Sequence, residues 1–340
     1  MRSDESSRVP TPPRWSVPIR DLGLTIEGST LEPVLAEFAH ELQAAGITRV
    51  RPKFYLSTEW GVPEGSVAVA IPFYLARPDL TLLHAERVGH LEGVGRSDLL
   101  RYLRHEMGHV VNYAYRLFES PEWVESFGPM DRPYLEEYRL EPFSRRYVRH
   151  LPGWYAQKHP DEDWAETFAV WMTPGLDWHA EYADWPEALA KLQYCDRTMA
   201  ALADRDPVVT ADDTDEDVGD LAVTVDDFYG PTTGPAAERF PPGLDAALRD
   251  VFPEPGPQGG DLRSASRLIG ELELPLVASI YHWTGHFPER TRPLLRQLAA
   301  RADALGLSFS GEDASRAAVG LASLVTALAM NHVHRGAYLL

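Results

Sequence analysis

The sequence predicts an α+β chain in which a small N-terminal sheet lies beside long helices and a helical C-terminal region follows a linker. Three observations carry this reading. Two short extended stretches, 49–56 and 67–74, stand among segments whose apolar residues recur at helical spacing. Between 204 and 240 the composition turns acidic and then rich in Pro and Gly, as in a linker. Residues 241–340 are alanine-rich with helical spacing, and 340 residues suit about two domains.

Taken in order, residues 1–17 are polar and proline-rich with no apolar stretch of signal-peptide type, and are expected to be disordered. Leu31, Val34, Leu35, Phe38 and Leu42 mark a helix over 31–45. In 49–56, Val50, Pro52, Phe54 and Leu56 alternate with Arg49, Arg51, Lys53 and Tyr55, the period of a strand. The run 67–74 follows a Pro63-Glu64-Gly65 turn and reads as a second strand. Either strand could offer an edge to an extended peptide. From Ser97, read as an N-cap, a helix carries Leu99, Leu100, Leu103, Met107, Val110, Val111 and Ala114 on its apolar face. Gly108 costs this helix about 1 kcal/mol against Ala, so a close approach by another element is expected there. A further helix opens at Pro160 behind three acids, with Trp164, Phe168 and Trp171 at i, i+4 and i+7.

The helical part runs to about Met199, its aromatics Trp171, Trp178, Tyr182, Trp185 and Tyr194 reading as core, so a first domain is expected over 18–203. The acidic run 212–217 lacks the turn glycine of a calcium loop. In the C-terminal domain, 262–307 and 315–334 read as helical. His282 and His286 mimic a metal pair but lack the following glutamate, and Pro288 interrupts the helix, so they read as structural. The apolar run 317–330 is short for a bilayer and reads as a buried helix.

A net charge of −19 argues against nucleic acid or an anionic membrane as partner and leaves room for a basic substrate. The single cysteine, Cys195, excludes an intrachain disulfide and fits a reducing, cytoplasmic setting.

The chemistry is concentrated in His105-Glu106-Met107-Gly108-His109. Two imidazoles at i and i+4 share one helix face, their Cβ atoms about 5–6 Å apart, close enough to grip one metal ion. Glu106 is then placed as general base for a metal-activated water, the pattern of a zinc-dependent hydrolase. Catalytic zinc takes a third protein ligand, and His159, Glu162, Asp163 and Glu166 all compete for that role on residue type alone. Glu162 and Glu166 are i, i+4 and can face the first helix together.

The stretch Glu162-Asp163-Trp164-Ala165-Glu166-Thr167-Phe168-Ala169 resembles the second helix of gluzincins, E-x-x-A-[D/N/E]-x-F-A. More widely, residues 99–194 resemble a bacterial family of zinc-binding metallopeptidases whose hallmarks are H-E-x-G-H and H-P-x-E-D-W-A-E-T-F-A, here His105 to His109 and His159 to Ala169. The resemblance covers under a third of the chain. It implies a zincin-like metallopeptidase domain with His105, His109 and Glu162 as zinc ligands and a peptide or protein as substrate. It also implies that Glu166 orients a ligand histidine. Tyr155, seven residues before Glu162, matches the place of an oxyanion-donating tyrosine in some gluzincins; packing beside Trp154 is the alternative. Arg145 and Arg146 read as a solvated face, with a substrate carboxylate as the other use. The expected function is zinc-dependent peptide hydrolysis; the alternatives are an inactive binding module on the same fold and a zinc hydrolase of a non-peptide amide.

Overall fold

The computed structural model describes residues 15–88, 90–135, 138, 140, 141, 143–230, 243–253 and 262–340. It is a mixed, largely helical protein with two small sheets, and its buried side chains form two main cores, one within 19–225 and one within 244–338.

The first unit opens with α1 (Glu32–Ala44), β1 (Lys53–Ser57), β2 (Ala68–Pro72) and α2 (Pro78–Val88). It continues through α3 (Arg96–Tyr115), α4 (Pro121–Phe127), α5 (Pro160–Met172), α6 (Trp178–Glu181), α7 (Pro186–Leu202) and α8 (Val225–Tyr229). β1 and β2 pair in parallel, with Tyr55 beside Ala70. β2 is buried along its whole length, which explains its unbroken apolar sequence. The amide of Ala70 donates to the carbonyl of Gly61 (2.8 Å), so at this point the second edge of β2 is taken by its own preceding loop. That loop, rather than a strand, faces the cleft described below.

α3 starts two residues earlier than expected, with Gly95 at the N-cap; Ser97 lies inside the helix, and Asp98 instead accepts from the Gly93 amide (2.9 Å). α3 and α5 cross at Gly108, where a Cβ would come within 2.7 Å of the Ala165 Cα. The Gly108 carbonyl accepts from the Trp164 indole (2.8 Å), so both apolar faces are locked at the crossing. Trp164 and Phe168 are wholly buried there.

The linker expected over 204–240 is corrected for its first part. Residues 204–230 are stitched onto the first unit: Val208 and Val209 donate to the Ala114 carbonyl, Val67 to that of Ala211, and Val218 to that of Leu56. Val218 and Val225 are buried. The acidic composition misled because the segment is held by both its carbonyls and its carboxylates: Asp213 and Asp215 accept from Ser66 and Ser57 through their carbonyls, while the Asp206 and Glu216 carboxylates meet Arg49 and Thr58. The remainder, 231–240, lies outside the described residues, as does most of the N-terminal stretch expected to be disordered. Of the latter, Trp15 and Val17 accept from Asp226 and Val225 and are thus tied to α8.

The second unit holds α9 (Leu244–Val251), β3 (Leu262–Ser264), α10 (Ala265–Glu271), α11 (Glu273–Thr284), α12 (Pro288–Ala304), β4 (Ser308–Ser310) and α13 (Ala314–Arg335). Its core includes Leu248, Val277, Leu295, Leu298, Leu321 and Val325. α13 is longer than the apolar run suggests. With its leading turn it is the one helix among the described residues long and apolar enough to cross a membrane, although Leu321, Val325 and Leu328 are buried in this core. His282 is exposed while His286 is buried, its ring hydrogen-bonded to Thr291 (2.7 Å) and Tyr338 (3.0 Å), so the two do not form a pair.

Among the contacts that seat this unit on the first, two stand out at Arg292 and Gly285. The Arg292 guanidinium pairs with Glu273 (2.6 Å) and donates to the carbonyls of Glu86 and Arg87, closing the C-terminal end of α2 where unpaired carbonyls gather. Gly285, at φ 67°, leaves room for the Trp154 ring, which a Cβ would meet at 2.9 Å. Here glycine serves both the left-handed end of α11 and the close approach.

Candidate metal centre

Burying two helices against each other at Gly108 brings the polar faces of α3 and α5 together. His105 Nε2 lies 2.9 Å from Glu162 Oε2 and 3.2 Å from His109 Nε2, and His109 Nε2 lies 3.3 Å from the same carboxylate oxygen. All three residues are buried, and as a group they can hold a metal ion. A tetrahedral ion with bonds of about 2.0–2.1 Å places its donors about 3.3 Å apart. The observed triangle is that size or slightly tighter.

The far side of each imidazole is held by a different acid. His105 Nδ1 meets Glu166 (2.9 Å), and His109 Nδ1 meets Asp161 (2.9 Å). With an Nδ1 proton donated to a carboxylate, each Nε2 lone pair is left for a cation. Glu166 also accepts from the amides of His150 and Leu151, and Asp161 from Asn112 (2.7 Å) and Tyr113 (2.6 Å). These orienting acids are thus themselves fixed. The second oxygen of Glu162 accepts from Tyr134 (2.5 Å), whose hydroxyl is 3.3 Å from that of Tyr155.

The electrostatics fit a cation. Burial alone would push His105 down, yet the carboxylates of Glu162 and Glu166 outweigh it and hold the imidazole up at about 9. His109 is likewise raised despite burial, by Asp161 and Glu162. Burial works to raise Glu162 too, but the two imidazoles hold it well below the carboxylate range. A ring of acids around two imidazoles therefore favours positive charge at its centre, which a metal ion supplies. Burial raises Glu106 to about 7, partly offset by the two imidazoles.

The other candidates for third ligand are turned elsewhere. Asp163 pairs with Lys191 (2.5 Å). His159 accepts from the Asp161 amide through Nδ1, capping α5. Arg145 and Arg146 lie away from the site, Arg145 donating to the Asp184 carbonyl and the Arg146 carbonyl accepting from Lys191.

The triangle opens into a cleft of about 450 Å³, lined by Glu106, Tyr155 and Tyr134 among others. Tyr155 packs edge-on against the His105 ring at 5.5 Å. Burial raises both phenols, so they stay protonated. Asp161 and Tyr134 contact the candidate site, and sequence reasoning did not single them out. Asp161 had a legible signal, an acid directly before a candidate ligand at a helix start; Tyr134 had none, lying in irregular chain 28 residues before its partner. Comparison with family models, with curated proteins and with solved structures gave no match.

Proposed function

We propose that the protein is a zinc-dependent peptidase of gluzincin type on a zincin-like fold, with zinc held by His105, His109 and Glu162. The observation that carries this reading is the buried His-His-Glu triangle, each imidazole backed by its own carboxylate, opening into a cleft beside Glu106. The donor set of two imidazoles and one carboxylate suits zinc and leaves a coordination position open. Zinc, when bound, supplies Lewis acidity that activates a water and polarises the scissile carbonyl.

The chain's own residues do the rest. Glu106 takes the proton of the attacking water and returns it to the departing amine, so the two half-transfers balance on one carboxylate. The Tyr134 proton is committed to Glu162, which leaves the Tyr155 hydroxyl free to turn from Tyr134 towards the developing oxyanion. Glu166 and Asp161 keep the imidazoles in register.

The test is metal content by mass spectrometry on natively purified protein, beside His109→Ala and Glu162→Ala, followed by a peptide-library screen. About one zinc per chain, lost in both variants, with hydrolysis by the wild type is the expected result. A wild type that takes up no zinc on addition would overturn it.

A further inference from the structure

The cleft runs along α3, and its two ends differ. Tyr102, one turn before His105, and Tyr113, one turn after His109, both line it, about 16 Å of helix apart. Near the Tyr113 end the Arg132 carbonyl meets His159, which caps the helix that carries Asp161; beside Tyr102 stand Glu92, Trp60 and Tyr281.

Glu92 is built into its place. Its backbone amide and carbonyl both bond the Tyr74 hydroxyl, at 3.3 and 3.2 Å. Its carboxylate meets His90 Nε2 (3.1 Å), and the Tyr102 side chain lies close enough to help hold its charge. The side chain nevertheless keeps 36% of its surface accessible, and it does so along the cleft. Among the described residues no Lys or Arg pairs with it. Burial opposes its charge, but His90 and Tyr102 outweigh that and keep the carboxylate ionised.

Aromatic rings surround this acid. Trp60 stacks on Tyr102 at 5.3 Å, and Tyr281 packs edge-on against His90 at 4.8 Å. Tyr281 belongs to α11 of the second unit, and Gly153 makes space for it, since a Cβ there would lie 3.2 Å from the Tyr281 hydroxyl. The second unit therefore supplies part of the cleft wall.

We propose that Glu92, with Trp60, Tyr102 and Tyr281, forms a subsite for a cationic group of the substrate, an ammonium or a guanidinium. A carboxylate among aromatic rings suits such a group through charge-assisted hydrogen bonding and cation–π attraction. The proposal rests on the peptidase reading for the word substrate. It also gives the chain's net charge of −19 a local use, since a basic segment would be drawn to this protein before it docks. The group can be a Lys or Arg side chain or a peptide's amino terminus.

The experiment measures binding of coumarin-labelled hexapeptides to Glu106→Gln by anisotropy, and hydrolysis of the same peptides by the wild type. Lysine is scanned through an otherwise norleucine- and alanine-containing, N-acetylated peptide, and a neutral peptide is compared with its amino terminus free and acetylated. One lysine position, or the free terminus, is expected to bind about tenfold tighter than its neutral counterpart. The arm that responds names the source. A Glu92→Gln change added to that protein should reduce the preference to within about twofold, whereas Tyr281→Leu should weaken binding severalfold with the charge still present. A Glu92 serving only to hold His90 and Tyr102 would give no charge preference. No preference in either arm, or a preference that survives Glu92→Gln, overturns the subsite. Hydrolysis without charge preference sinks the subsite alone; a charge preference with no hydrolysis of any peptide upholds the subsite and sinks the peptidase reading.

Discussion

Asp161 Oδ2 lies 2.9 Å from His109 Nδ1, so the residue that orients one imidazole directly precedes Glu162, which shares the candidate metal triangle with it. One helix start thus sets both the third donor and the posture of the second. Asp161→Ala should lower zinc affinity about 10–100-fold, the usual effect of removing such a partner. Chelator competition measures this, and an unchanged affinity would remove Asp161 from the site. Asn112 and Tyr113 would also lose their acceptor, so circular dichroism should accompany the titration.

Gly108 tests the crossing that creates the centre. In an open helix Gly→Ala gains about 1 kcal/mol. Here the added methyl meets Ala165 backbone at 2.7 Å, which cannot swing aside as a long side chain could. Overpacking of this kind costs about 1–3 kcal/mol, so the clash should win and Gly108→Ala should melt earlier with weaker zinc binding. A higher melting temperature would mean that the helices have room to spare.

Much of this centre was legible in the sequence, because it depends on helical periodicity. His105, Glu106 and His109 fall on one face by spacing alone, and Gly108 announced a close approach that the Ala165 contact explains. Glu162 over its neighbours was not decided by periodicity. It needed the resemblance, and the geometry then turned Asp163 to Lys191 and His159 to the helix cap. Contacts made by irregular chain left no periodic trace: Tyr134 on Glu162, Glu92 in the cleft, and the acidic segment whose carbonyls and carboxylates bind the N-terminal unit. The docking of α12 was equally silent, since no sequence period marks the contact of Arg292 with the end of α2.

Glu106 and Tyr155 should separate by their effects on metal and on rate. Glu106→Gln should retain zinc while losing at least about 10²-fold in kcat, the scale of a missing general base. Tyr155→Phe should also retain zinc and lose about 10²–10³-fold in kcat with KM little changed, as expected for an oxyanion donor. An active Glu106→Gln protein would sink the mechanism. A Tyr155→Phe protein of normal rate would return that side chain to a packing role against His105.

Acid should destabilise the protein through a histidine remote from the metal centre. His286 is buried, and burial, helped by His332 and Arg290, pushes its imidazole down to about 3. An unfolded histidine titrates near 6.5, so between pH 6.5 and about 3 the unfolded chain binds more protons than the folded one. The stability contributed by neutral His286 is therefore complete above pH 6.5 and drains away as the pH falls through that window. His84, pushed by burial to about 4, acts in the same direction. The slope from one such group approaches about 1.4 kcal/mol per pH unit at most. Urea unfolding at pH 7.5, 5.5 and 4.5 should show a steeper loss in the wild type than in His286→Gln, which has no proton to gain there. Parallel losses in the two proteins would place the acid sensitivity on other groups.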